Sequence, residues 1–123
     1  MKIDQNSKIG WIGTGVMGKS MFGHLLDKGH KGFVYTRTRE KASSAIDKGA
    51  VWCNSPAELA GNCDIIFTMV GYPSDVRDIY LSSGSIVDSA KPGTIMVDMT
   101  TTSPSLALEI YNAARKKNLS SLD

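Results

Sequence analysis

The chain has little of what most often builds a reactive or metal site. Its 123 residues include two cysteines and two histidines. Cys53 and Cys63 have neither the spacing of a CxxC redox pair nor that of a zinc-ligand set, which leaves them as small packing residues of a reducing compartment. His24 falls in mid-helix and His30 in the turn Lys28-Gly-His-Lys31, with no cysteine or carboxylate at ligand spacing, so no metal site is expected. The start, Met1-Lys-Ile-Asp-Gln-Asn-Ser7, has no apolar h-region, and no apolar run approaches the roughly 20 residues that span a bilayer. Membrane insertion is not expected, and the cytoplasm is the default compartment. Charge of one sign is also lacking. The 14 basic and 12 acidic residues leave a net +2, without a basic block suited to counterion release from nucleic acid.

What is present is ordinary in amount and regular in order. Hydrophobic content of 41% and charged content of 21% fit a soluble globular domain, and the length predicts one domain, residues 1–123. No repeat or linker divides the chain. Apolar strands alternate instead with helix-like stretches, the signal of a parallel sheet. Strands are expected at Lys8–Gly13, Gly32–Thr36, Ala50–Cys53, Asp64–Val70, Thr94–Asp98 and Leu119–Asp123. A helix over Val16–Lys28 would turn Met17, Met21, Phe22, Leu25 and Leu26 inward and stop at Gly29. Further helices are expected over Arg39–Lys48, from the Ser55-Pro-Ala-Glu58 start to Ala60, over Ser74–Leu81, and from Ser103-Pro104 to Lys117 with Leu106, Ile110 and Ala114 inside. Asn118 would release the last of these. The sum is a Rossmann-type α/β fold, a doubly wound parallel sheet of order 3-2-1-4-5-6 cut at or near its sixth strand.

The chemistry concentrates at strand ends. Gly13-Thr-Gly-Val-Met-Gly18 follows a strand and opens a helix, the context that gives a GxGxxG string a mechanism. Gly13 permits the turn, Gly15 lets backbone approach a pyrophosphate, and Gly18 allows close helix–strand packing. Thr14, Val16 and Met17 complete the cradle, where free N–H groups and the helix dipole meet phosphate. The alternative is a tight crossover with no ligand. An Asp or Glu ending the second strand would accept the adenosine ribose hydroxyls and repel a 2′-phosphate. This chain has Thr36 there, followed by Arg37, Thr38, Arg39 and Lys41, and Arg37 can fork onto phosphate oxygens. NADP is therefore expected over NAD, the alternative being that the arginines are solvated surface charges. Two more segments reach the same edge. Met69, Val70 and Gly71 can lie along the nicotinamide ribose, with Val76 against adenine. Thr100 and Thr101 offer hydroxyls to a ribose, a carboxamide or a carboxylate, unless this cluster only caps the next helix.

These motifs together resemble the β-hydroxyacid dehydrogenase family, which includes 3-hydroxyisobutyrate dehydrogenase, tartronate semialdehyde reductase and, more distantly, 6-phosphogluconate dehydrogenase. Ile9-Gly-Trp-Ile-Gly-Thr-Gly-Val-Met-Gly-Lys-Ser-Met21 is similar to the family's glycine motif. Tyr35-Thr-Arg-Thr-Arg-Glu-Lys41 is similar to its NRTxxK segment, with Thr36 replacing Asn. Met69-Val-Gly-Tyr-Pro-Ser-Asp-Val76 stands where the family has MLPxxxxV, with Gly71 replacing proline. Pro92-Gly-Thr-Ile-Met-Val-Asp-Met-Thr-Thr-Thr-Ser-Pro104 is similar to PGxxxxDxSTxxP, with Thr100 replacing Ser. The resemblance implies hydride transfer between NADPH and a short β-hydroxyacid or its semialdehyde. It also implies a Ser-Gly-Gly substrate loop, a catalytic lysine and a helical second domain, all beyond Asp123. None of Lys19, Lys28, Lys41, Lys48 or Lys91 aligns with that lysine, so no catalytic residue is assigned, and the fragment is expected to bind cofactor without turnover. The alternatives are the cofactor domain of an imine-reducing relative and a non-enzymatic dinucleotide sensor, the latter disfavoured by an unfinished sheet. Assembly in the family runs through the helical domain, so the chain is expected either to be monomeric or to pair through apolar surface.

Overall fold

A computed structural model describes residues 7–13, 16–69, 73–81, 85–99 and 104–122. Six parallel strands, β1 Lys8–Ile12, β2 Lys31–Tyr35, β3 Val51–Trp52, β4 Ile65–Thr68, β5 Ile95–Asp98 and β6 Ser120–Leu122, form one sheet in the order β3-β2-β1-β4-β5-β6. The helices are α1 Val16–Asp27, α2 Ser43–Asp47, α3 Pro56–Asn62, α4 Pro73–Leu81, α5 Ile86–Ser89 and α6 Pro104–Lys116. The expected fold class and strand order are those observed; β2 is shifted by one residue at unchanged length, and the other strands are shorter by one to three residues.

Parallel pairing forces both sheet faces to be covered, and the register assigns each residue its face. Ile9 and Trp11 of β1 align with Ile65 and Phe67 of β4. On that side they join Phe22 and Leu26 of α1 and Ala45 of α2 in one buried cluster. Trp11 is fully buried, its ring stacked with Phe22 at 5.5 Å and with Phe67 at 5.1 Å between centroids. Ile12, Ile66 and Met96 face the other way, onto Leu59, Ile86, Leu106, Ile110 and Ala114.

Local sequence sets the helix ends. Ser55 accepts the Glu58 N–H at 3.1 Å, and the Glu58 carboxylate reaches back to the Asn54 N–H at 2.5 Å, a capping box displaced by one residue with Pro56 in the first turn. At the far end of α6, Asn118 takes φ 59°, with Asn118 N–H on Arg115 O and Leu119 N–H on Ala114 O, a Schellman closure.

Three expectations need correction. The stretch from Arg39 is a 3-10 turn, Arg39–Ala42, followed by the short α2, rather than one helix to Lys48. The Ser43 hydroxyl donates to the Glu40 carbonyl at 2.7 Å, local competition that breaks a regular helix there. Met21 is 38% exposed rather than inward, the helix turning Phe22 and Leu26, with Leu25 partly buried beside them, toward the sheet instead. The single turn α5 was not foreseen: four residues are too few to show a period, yet Ile86 and Val87 are buried in the core.

Gly10 of β1 decides how closely α3 approaches. A Cβ there would stand 2.5 Å from Leu59 Cδ2 and 2.7 Å from Cys63 Sγ, both fully buried. Gly10→Ala should therefore destabilise the chain by about 1–3 kcal/mol, the usual range for overpacking, read as a lower denaturation midpoint at unchanged slope. Gly61→Ala, whose Cβ would meet nothing nearer than Ser89 O at 3.9 Å, should stay within about 0.5 kcal/mol. Equal losses at both positions would refute the packing account.

Candidate functional site

The carboxyl ends of the central strands meet in one row. Gly13 N–H donates to Tyr35 O at 3.0 Å, Met69 N–H to Ile12 O at 2.9 Å and Met99 N–H to Thr68 O at 2.8 Å. Each bond lies one step past the last paired residues of β1, β2, β4 and β5. Thr36, Gly13, Met69 and Met99 thus stand side by side along the edge. The order reverses between β1 and β4, which places the crevice of a doubly wound sheet at Gly13.

Gly13 has φ 83°, a left-handed conformation that glycine adopts without Cβ strain. Three residues on, α1 begins at Val16, so Val16, Met17 and Gly18 form the first turn of a 12-residue helix whose free N–H end meets this edge. The structure therefore brings together Gly13, the Val16–Gly18 turn, Thr36 and Met69 among the residues singled out by sequence. Val76 lies on α4. Thr14, Gly15, Val70, Gly71, Thr100 and Thr101 lie outside the described residues.

The end of β2 is shaped by its own hydrogen bonds. Thr36 is buried, and its hydroxyl donates to the Thr38 carbonyl at 2.5 Å, folding the backbone into a tight bend. Arg37, Thr38 and Lys41 are exposed beyond it. Arg39 takes a different part from its neighbours, lying 5.7 Å over the Trp52 ring, whose indole N–H donates to Asn54 Oδ1 at 3.0 Å. Glu40 is the one carboxylate of the segment 36–42, against the cations Arg37, Arg39 and Lys41.

Two features of this edge were missed by the sequence reading. One is the Arg39–Trp52 contact, which joins residues of different elements and leaves no linear signal. The other is a buried polar chain. Tyr80 Oη lies 2.7 Å from Thr68 Oγ1, which donates to Asp98 Oδ1 at 3.2 Å. Thr68 and Asp98 occupy inward positions of otherwise apolar strands, and polar residues at such positions are the available clue.

Two of the lysines stand away from this edge. Lys48 pairs with Asp27 at 2.9 Å and Lys91 lies 4.0 Å from Asp64, both at the opposite, amino-terminal side of the sheet. Among the described residues no group of three His, Cys, Asp or Glu side chains could hold a metal, and no helix is long and apolar enough to cross a membrane.

A six-stranded parallel sheet with its order reversed at β1, a left-handed glycine at that strand's end and a helix opening onto the crevice define a dinucleotide-binding α/β domain. Residues 8–123 match the family described as the NAD binding domain of 6-phosphogluconate dehydrogenase, and the chain belongs to it. It is 53% identical over 115 residues to the "Uncharacterized oxidoreductase YkwC" of Bacillus subtilis, covering 94% of this chain and 40% of the relative. It is 51% identical over 119 residues to the "Probable 3-hydroxyisobutyrate dehydrogenase-like 1, mitochondrial" of Arabidopsis thaliana, covering 96% and 36%. Among solved structures, "Psf3 in complex with NADP+ and 2-OPP" superposes with a TM-score of 0.86 at 28% identity, covering 92% of this chain and 40% of that one. The chain spans about 40% of the length of the relatives it matches.

Burial keeps both thiols protonated: it pushes Cys53 up to about 11, helped by the Glu58 charge, and Cys63 up to about 12. Reaction needs the thiolate, whose share at pH 8 is on the order of one part in a thousand or less. A thiol-specific chromogenic reagent should therefore label neither cysteine of the native chain at pH 8, and both in denaturant. Rapid labelling of the native chain would overturn this reading.

Proposed function

We propose that this chain is the cofactor-binding half of an NADP(H)-dependent oxidoreductase of the β-hydroxyacid dehydrogenase type. Residues 1–123 form the nucleotide domain, and a short β-hydroxyacid or its semialdehyde is the substrate of the full-length protein. The observation that carries the reading is the pairing of two features on one edge: the left-handed Gly13 turn into α1, and a β2 end where Thr36 stands in place of a carboxylate, with Arg37 and Lys41 exposed beside it. The Gly13–Gly18 turn, with Thr14, Gly15, Val16 and Met17, would hold the pyrophosphate. Thr36 and Thr38 border the adenosine ribose, and Arg37 and Lys41 receive its 2′-phosphate. Val76 would take the adenine, and Met69, Val70, Gly71, Thr100 and Thr101 the nicotinamide side. When bound, the nicotinamide ring supplies the hydride. The chain's own residues bind and orient it, and none of them is assigned as the acid or base, so the domain holds cofactor without turning over substrate. Two buried free thiols suit a reducing compartment such as the cytoplasm.

Titration with NADPH and NADH, followed by the fluorescence of Trp11 and Trp52, tests the cofactor assignment. Charge-assisted hydrogen bonds to the 2′-phosphate, at about 1.5–3 kcal/mol, should make NADPH bind about 10- to 100-fold tighter than NADH. Arg37→Asp should reverse that order. Equal or tighter binding of NADH by the unmodified chain would remove the role given to Arg37.

A further inference from the structure

We infer that Thr68, Tyr80 and Asp98 are positioning residues for the nicotinamide side of the cofactor site, through a buried hydroxyl chain that ties together the carboxyl ends of β4 and β5 and the helix α4. The inference rests on the dinucleotide reading of this edge.

The geometry fixes the direction of the chain. Thr68 has one hydroxyl proton, and it goes to the Asp98 carboxylate. Tyr80 must then be the donor in its 2.7 Å contact with Thr68, so the protons run from Tyr80 through Thr68 to Asp98. Tyr80 and Thr68 are essentially fully buried and Asp98 is 6% exposed. Burial also pushes the Tyr80 phenol above its ordinary range, which secures the proton this arrangement requires. The same residue is held from behind, since the buried Ser85 hydroxyl donates to the Tyr80 carbonyl at 2.6 Å.

The placement of the three residues is what gives the chain a role. Thr68 is the last residue of β4, and Tyr80 lies on α4, the helix that β4 leads into. Asp98 is the last residue of β5. The end of β4 is thus anchored to the last turn of α4, and the end of β5 is held to it through Asp98. Met69 and Met99, the next residues, stand in the row with Gly13 on the cofactor edge. Replacing buried hydrogen-bonded groups by apolar ones of the same shape is often close to neutral in stability, so stability alone is a weak reason for three polar side chains here. Directional donors instead select one arrangement of the strand ends.

The test separates the two halves of the ligand. For the unmodified chain and the variants Tyr80→Phe, Thr68→Val and Thr68→Ser, affinities are measured by calorimetry for the preferred dinucleotide, NADPH or NADH. They are measured also for its adenosine half, 2′,5′-ADP or ADP, with melting temperatures recorded alongside. Tyr80→Phe and Thr68→Val should weaken the dinucleotide about tenfold, the loss expected from about one misplaced hydrogen bond, while the adenosine half stays within about twofold. Thr68→Ser should restore dinucleotide affinity. If Thr68→Val does not fold, Tyr80→Phe, which removes one oxygen and keeps the ring, decides. Parallel loss of both ligands, or unchanged dinucleotide affinity in folded Tyr80→Phe, overturns the inference and leaves the dinucleotide reading standing. An unmodified chain that binds no dinucleotide overturns both.

Discussion

Strand β1 carries the constraint on which the rest of the structure depends. It hydrogen-bonds β2 on one side and β4 on the other, all parallel, so the chain must leave this strand's neighbourhood in opposite directions in its first and second parts. The crossovers that follow place α1 and α2 against Trp11 and Val34 on one face, and α3, α5 and α6 against Ile12, Ile66 and Met96 on the other. The crevice at the end of β1 is a consequence of this divergence, since helices that diverge to opposite faces leave the strand end between them open. Gly10 and Gly13 serve it from two positions on one strand. The first gives Leu59 and Cys63 the space a side chain would occupy, and the second turns the backbone out of the sheet toward α1.

Much of this fold was legible in the sequence because the signals are local. The apolar run at Ile65–Thr68, the Ser55-Pro56 start and the Asn118 stop each act within a few residues of chain, and the structure places an element boundary near each. The failures have a common physical origin. Helical periodicity was projected across Arg39–Lys48, where the Ser43 hydroxyl competes for a backbone carbonyl. The inward set of α1 was drawn too wide at Met21, which is 38% exposed, whereas Phe22 and Leu26 are buried and Leu25 packs against their cluster. A single turn such as α5 has no period to detect.

The site was legible to a different depth at its two ends. Gly13 and the Thr36–Lys41 segment belong to contiguous motifs, and the structure places both at the carboxyl edge of the sheet. The contacts that shape their surroundings join residues distant in sequence, Arg39 with Trp52 and Thr68 with both Tyr80 and Asp98, at separations of 12 and 30 residues for the latter two. Asp98 shows the difference well. Its place in a family-like motif was visible, while its hydrogen-bond partner emerged only once β4 and β5 were paired in register.

Different kinds of interaction hold the two ends of this strand edge. At the β2 end the Thr36 hydroxyl bonds to the Thr38 carbonyl and Arg39 lies on Trp52, with Arg37 and Lys41 exposed beside them. At the β4–β5 end the strands are locked by the buried hydroxyl chain, in a low-dielectric region where directional bonds are strong and misplacement is costly. At the first end exposed cations surround the buried Thr36, while at the second Thr68, Tyr80 and Asp98 are all buried. The β4–β5 end is shaped by residues 12 and 30 positions apart in the chain, whereas the bend at the β2 end is made within two residues, which is why a sequence pattern reaches the β2 end more readily than the β4–β5 end.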